Sequence, residues 1–140
     1  MDQLATEPPT DGAAGTLVRF LRLIEARDLV AASKLLAEDF RMVFPGGVEM
    51  RRLEELVEWS RGRYRFVCKR FERIESTGTA VWVSGTLSGE WLDGRPFERI
   101  RFVDRFELAN GLIVRQDVWN DIAETLLAEI RSADLGARSA

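Results

Sequence analysis

This chain contains no histidine. That absence excludes Ser-His-Asp and Cys-His chemistry and any His-ligated zinc site. Proton transfer near neutral pH must then come from a perturbed carboxylate, a lysine or a tyrosine. There is a single cysteine, Cys68, so an internal disulfide and a Cys-type metal cluster are excluded as well. Cys68 falls in the strand-like run 65–74 and reads as a small core residue. No run approaches about 18 consecutive apolar residues, so no membrane span is expected. The opening MDQLATEPPTDGAAG lacks the positive flank and apolar run of a secretory signal. No Gly-rich phosphate loop, Walker motif or dinucleotide fingerprint occurs. The expectations are therefore a cytoplasmic protein with no metal, no cofactor, no nucleic-acid partner and no membrane partner. A formal net charge of −3 agrees, because it provides no long-range pull toward nucleic acid.

What is present fits one domain. The 140 residues can close one core, and 46% hydrophobic with 31% charged residues is ordinary for a globular chain. Residues 1–14 read as a flexible tail, 15–131 as the domain and 132–140 as a frayed end. After Thr16, Leu17, Val18, Phe20, Leu21 and Ile24 follow helical spacing. Asp28 can cap a second helix, and a third spans about 52–62. Between them, 40–44 is a short alternating run stopped by Pro45-Gly46-Gly47.

From residue 65 the period changes from 3.6 to 2. Strands are expected at 65–74, 79–92, 97–108 and 112–119, with turns at Asp93-Gly94 and Asn110-Gly111. A last helix runs from Asp121 to about Ile130, with Asp121 and Glu124 spaced as a capping box. Helices followed by an antiparallel meander indicate an α+β fold. Its helices pack over the inner face of a curved sheet.

The strand 97–108 carries Ile100, Phe102, Asp104, Phe106 and Leu108 on one face, which is the face the helices cover. A two-residue turn at Asn110-Gly111 sets Phe106 opposite Arg115, Asp104 opposite Asp117 and Phe102 opposite Trp119. In that register two carboxylates share an apolar inner face. Burial and mutual repulsion raise such carboxyls, leaving one neutral acid beside one base. Asp117 and Asp104 are thus the candidate catalytic pair. A bulge would change this, shifting the register by one residue and leaving Arg115 to pair with an aspartate in a structural network.

Trp91, Phe102, Phe106 and Trp119 are the candidate walls of a ligand pocket. Tyr64, Arg115 and Trp59 are further substrate-binding candidates, each with a packing or ion-pairing alternative. Gly85 and Gly89 fall on the same inner face and leave space there. On the outer face Arg99, Arg101 and Arg105 lie beside Trp82, which suggests a homodimer contact.

The order of helices, then FPGG, then GTLSGEWLDG, then RFVDRFELANGLIVRQDVWND, resembles the SnoaL-like branch of the nuclear transport factor 2-like superfamily. The resemblance covers Thr16 to Ile130. It implies a cone-shaped barrel of curved antiparallel sheet around a pocket closed by N-terminal helices, in cofactor-free homodimers. It also implies isomerase, cyclase, dehydratase or epoxide-hydrolase chemistry, or binding alone. Within that resemblance Asp117 matches a pocket aspartate and Trp119 an aromatic wall. The places of the epoxide-hydrolase arginine and second aspartate hold Leu87 and Gly89. The expected function is acid–base chemistry on a small, mostly apolar, oxygen-bearing ligand, with a non-catalytic binding or dimerisation module as the alternative.

Overall fold

The structure is a computed structural model that describes Pro9 and residues 11–139. The rest of the expected N-terminal tail lies outside the described residues. In chain order the elements are α1 (Gly12–Glu25), α2 (Leu29–Ser33), β1 (Leu36–Phe44), β2 (Val48–Met50), α3 (Leu53–Arg61), β3 (Tyr64–Thr77), β4 (Ala80–Trp91), β5 (Pro96–Ala109), β6 (Leu112–Asn120) and α4 (Ile122–Ser139).

The strands form one six-stranded sheet in the order β2-β1-β6-β5-β4-β3. It is curved but unclosed, α+β as expected yet an open sheet rather than a closed barrel. Nor is it wholly antiparallel, because β1 lies parallel to β6. That pairing joins strands far apart in sequence, and no local turn announces it.

Helix α1 buries Leu17, Val18, Phe20 and Leu21 against the sheet, as their spacing requires. Phe20 meets Phe40 and Phe106 edge to face, with ring centroids 6.3 and 6.1 Å away. The Asp28 side chain accepts a hydrogen bond from Ala31 N and starts α2. At the start of α3, Glu55 reaches back to accept from the backbone N–H of Arg52. The expected capping box before α4 is replaced. Asn120 Oδ1 accepts from Ile122 N, while Asp121 is held by Arg101. Helix α4 runs to Ser139, past the expected end near Ile130, through residues that are mostly good helix formers.

The β5–β6 turn is as expected, with Asn110 and Gly111 both at positive φ (54° and 78°). The glycines of β4 do something else. A Cβ on Gly85 would stand 1.9 Å from the Arg70 carbonyl oxygen, and one on Gly89 would stand 2.1 Å from that of Phe66. These positions are filled by the backbone of β3, which is bulged on either side of this stretch. They allow close strand approach rather than leaving open space.

Candidate functional site

β5 and β6 begin in the expected register, with Ala109 opposite Leu112 and Leu108 opposite Ile113. The next pair is Glu107 with Arg115, so Val114 is an extra residue on β6. From there Gln116, Val118 and Asn120 pair with Phe106, Asp104 and Phe102 on the inner face. Asp117 instead pairs with Arg105, and Trp119 with Val103. The bulge alternative is the one realised, and it sends Arg115, Asp117 and Trp119 to the outer face.

On that face Arg115 binds Asp117 through both carboxylate oxygens, at 2.9 and 3.0 Å. Replacing Asp117 with asparagine is expected to cost at most about 1 kcal/mol, because Arg115 is partly solvated. Chemical denaturation checks the size, and ligand affinity at the inner cavity should not change.

Asp104 stays inside and is fully buried. Its cross-strand neighbours are Val83 and Val118, not a second carboxylate. Burial pushes its carboxyl up from the usual carboxylate range. The adjacent Lys69 ammonium and its hydrogen bond pull the other way. Gln116 pulls the same way as Lys69 without completing a hydrogen bond. Asp104 Oδ1 and Gln116 Oε1 are both buried without a hydrogen-bond partner among the described residues.

Lys69 was not singled out from the sequence, although the row Val67, Lys69, Phe71 places a cation between two apolar residues at strand spacing. Its side chain is only 15% exposed. Its ammonium bonds Asp104 and lies 4.9 Å from the Phe102 ring centroid. β3 is an edge strand, so the outward backbone groups of Lys69 need partners. Helix α1 supplies them. Glu25 accepts from Lys69 N at 2.7 Å, and Arg22 donates to Lys69 O at 3.0 Å.

Above Lys69, between α1, α3 and the sheet, is a cavity of about 80 Å³. Phe20, Phe44, Trp59 and Phe102 supply apolar wall, and Tyr64, Lys69 and Gln116 supply polar groups. Trp59 is held between the Phe44 ring at 5.1 Å and the Arg63 guanidinium at 3.9 Å. The Tyr64 hydroxyl makes no hydrogen bond to a described residue, and burial pushes it up from its ordinary value, with Asp104 adding to the rise.

The expected residues therefore separate. Phe102, Trp59 and Tyr64 line the cavity, and Asp104 lies one layer behind it. Phe106 packs on Phe20, and Trp91 packs on Phe97 at 4.2 Å, so both sit in the core. Asp117, Arg115 and Trp119 are on the opposite face of the sheet. Cys68 is exposed, not a core residue, because it alternates out of phase with Lys69. Among the described residues no three His, Cys, Asp or Glu side chains cluster as metal ligands. No described helix is long and apolar enough to cross a membrane.

The SnoaL-like domain family matches residues 17–116. No curated protein matches the chain in sequence. Among solved structures, an NTF2-like protein of unknown function from Burkholderia pseudomallei is similar with a TM-score of 0.69 at 21% identity, covering 81% of this chain and 94% of that one. An LEH-like epoxide hydrolase from M. tuberculosis has a TM-score of 0.67 at 18% identity, covering 91% and 96%. TerC, co-crystallised with polyporic acid, has a TM-score of 0.72 at 16% identity, covering 81% and 94%. At these identities the structural likeness concerns the fold.

Proposed function

The chain belongs to the SnoaL-like domain family, and on that premise we propose that it binds a small, mostly apolar molecule through a carbonyl, hydroxyl or epoxide oxygen. One observation carries this reading: an ammonium, Lys69, backed by a buried carboxylate, at the base of a cavity walled by aromatic rings. Such a cavity favours an apolar body, and one fixed donor orients its oxygen. TerC, similar in fold, was co-crystallised with polyporic acid, which supports a small organic ligand for such a cavity. Lys69 donates to the ligand oxygen, and Asp104 takes or returns a proton through Lys69. That is the proton movement of isomerase or lyase chemistry.

Thermal shift with cyclohexanone, phenol and cyclohexene oxide tests the binding. At least one should raise the Tm of the wild type and lose its effect in Trp59→Ala. No shift from any of them ends this reading. The sealing of Asp104 behind Lys69 favours a second reading, binding without turnover. Solvent deuterium appearing beside the carbonyl of bound cyclohexanone decides for chemistry.

We further infer a second copy against the outer sheet face, in the cytoplasm. Trp82 and Trp119 stack there with centroids 6.4 Å apart, and they are 37% and 51% exposed. Arg105 and the Arg115–Asp117 pair beside them give both charge signs, which suits self-complementary two-fold contact. Sedimentation should give a dimer that Trp119→Asp converts to monomer. A monomeric wild type at high concentration rejects it.

A further inference from the structure

Building on that reading of the cavity, we propose that Lys69 is a nucleophilic amine that captures a small apolar aldehyde or ketone as a Schiff base.

The chain uses arginine almost everywhere. Of its 20 cationic residues only Lys34 and Lys69 are lysines. The ion pairs at Arg22, Arg41, Arg95, Arg101 and Arg115 all employ guanidinium groups. For holding a buried carboxylate, arginine is the better choice, being planar, five-donor and permanently charged. What lysine offers instead is a proton it can lose, which exposes a nucleophilic lone pair. Lys34 lies exposed beside α2. Lys69 is the one lysine with a cavity in front of it and a proton acceptor behind it.

The surroundings complete the requirements. Asp104 is sealed from solvent, and burial favours its protonated form, so it can accept the ammonium proton. Helix α1 clamps the Lys69 backbone through Glu25 and Arg22, which fixes where the amine emerges. The Tyr64 hydroxyl and the Gln116 side chain line the same cavity, and Gln116 Oε1 has no hydrogen-bond partner among the described residues. Tyr64 can donate to the oxygen of a tetrahedral adduct, and Gln116 Oε1 can accept from its hydroxyl.

The step balances without a further reactant. Lys69 passes one ammonium proton to Asp104, and the freed nitrogen attacks the carbonyl carbon. The carbon–nitrogen bond forms, and the Tyr64 hydroxyl in the cavity wall passes a proton from nitrogen to the carbonyl oxygen to give a carbinolamine. Asp104 then returns its proton to the nitrogen, and Tyr64 passes one on to the departing hydroxyl. Water leaves, and a protonated imine remains beside the Asp104 carboxylate.

The test is reductive trapping of the full-length protein with butanal and cyanoborohydride at neutral pH, read by peptide mass mapping. Lys34, exposed beside α2, is an internal reference for a lysine with no cavity in front of it. Lys69 should acquire a butyl group at least about tenfold faster than Lys34. Lys69→Arg keeps the charge opposite Asp104 and should fold, yet carry no label at that position. Lys34→Arg should leave the labelling of Lys69 unchanged. Equal rates at Lys34 and Lys69 overturn the proposal. So does a Tm rise with butanal that leaves Lys69 unlabelled, and that result keeps the binding reading intact.

Discussion

Replacing Lys69 with methionine is expected to lower stability by about 4 kcal/mol, because it strands Asp104. The methionine fills most of the lysine's volume, so packing loss is small. The loss lies in the carboxylate. Asp104 is fully buried, its Oδ2 bonds Lys69, and its Oδ1 already has no partner among the described residues. Without the ammonium, the carboxyl must either stay charged in an apolar layer or bind a proton. Burial already pushes it up, and removing Lys69 removes the strongest opposing influence. The sign follows from linkage. A carboxyl whose folded value lies above its unfolded value of about 3.9 binds its proton more readily when folded. Stability is then retained below the unfolded value and declines as pH climbs through the folded one. The variant should therefore be closest to wild type at acidic pH and furthest from it above neutrality. Urea denaturation across pH measures this. Adding Asp104→Leu should restore most of the loss, since an apolar pair of similar volume carries no desolvation cost. If Lys69→Met alone is neutral at pH 8, the ion pair is not what compensates Asp104.

The same pair shows what the sequence could and could not reveal. Period-2 patterning and the Asn110-Gly111 turn gave the hairpin and its first two residue pairs. Phe102, Asp104 and Phe106 were correctly assigned to the inner face because β5 alternates without interruption over that stretch. One residue, Val114, breaks that alternation in the next strand. Val114 is unpaired, and in IVRQDVWN either alternate row can be inward. A bulge has no required residue type when φ stays negative, so nothing in the letters marked it. The outward row could have been found from its partner. Trp82 was read as outer, and an aromatic across the sheet from it is a natural stacking mate for Trp119. Lys69 is legible on one face of β3, as a cation between Val67 and Phe71. The cavity was legible only as a tendency. Its walls come from α1, α3 and five strands, and no local pattern fixes how far a helix stands from a sheet.

Replacing Phe20 with alanine is expected to lower stability by about 3–4 kcal/mol and to widen the cavity. Phe20 is nearly fully buried and is the ring through which α1 grips the sheet, edge-on to Phe40 and Phe106. Removing it forfeits the transfer energy of a phenyl group, two aromatic contacts and the packing across the space left behind. The helix cannot easily settle into that space. Arg22 and Glu25 tie its C-terminal turn to the backbone of Lys69, and Leu17 and Leu21 already touch the core. The void would instead join the existing cavity, whose wall Phe20 forms in part. An apolar void of that kind takes up a ligand that fits it. Benzene should therefore raise the Tm of Phe20→Ala more than that of wild type, by linkage to the folded state. Two outcomes separate the physical possibilities. A full loss with recovery by benzene means that α1 is held rigidly and the cavity has grown. A loss below about 1.5 kcal/mol without recovery means that α1 has collapsed onto the sheet. That collapse would move the clamp on Lys69, so ligand affinity at the original cavity should fall with it.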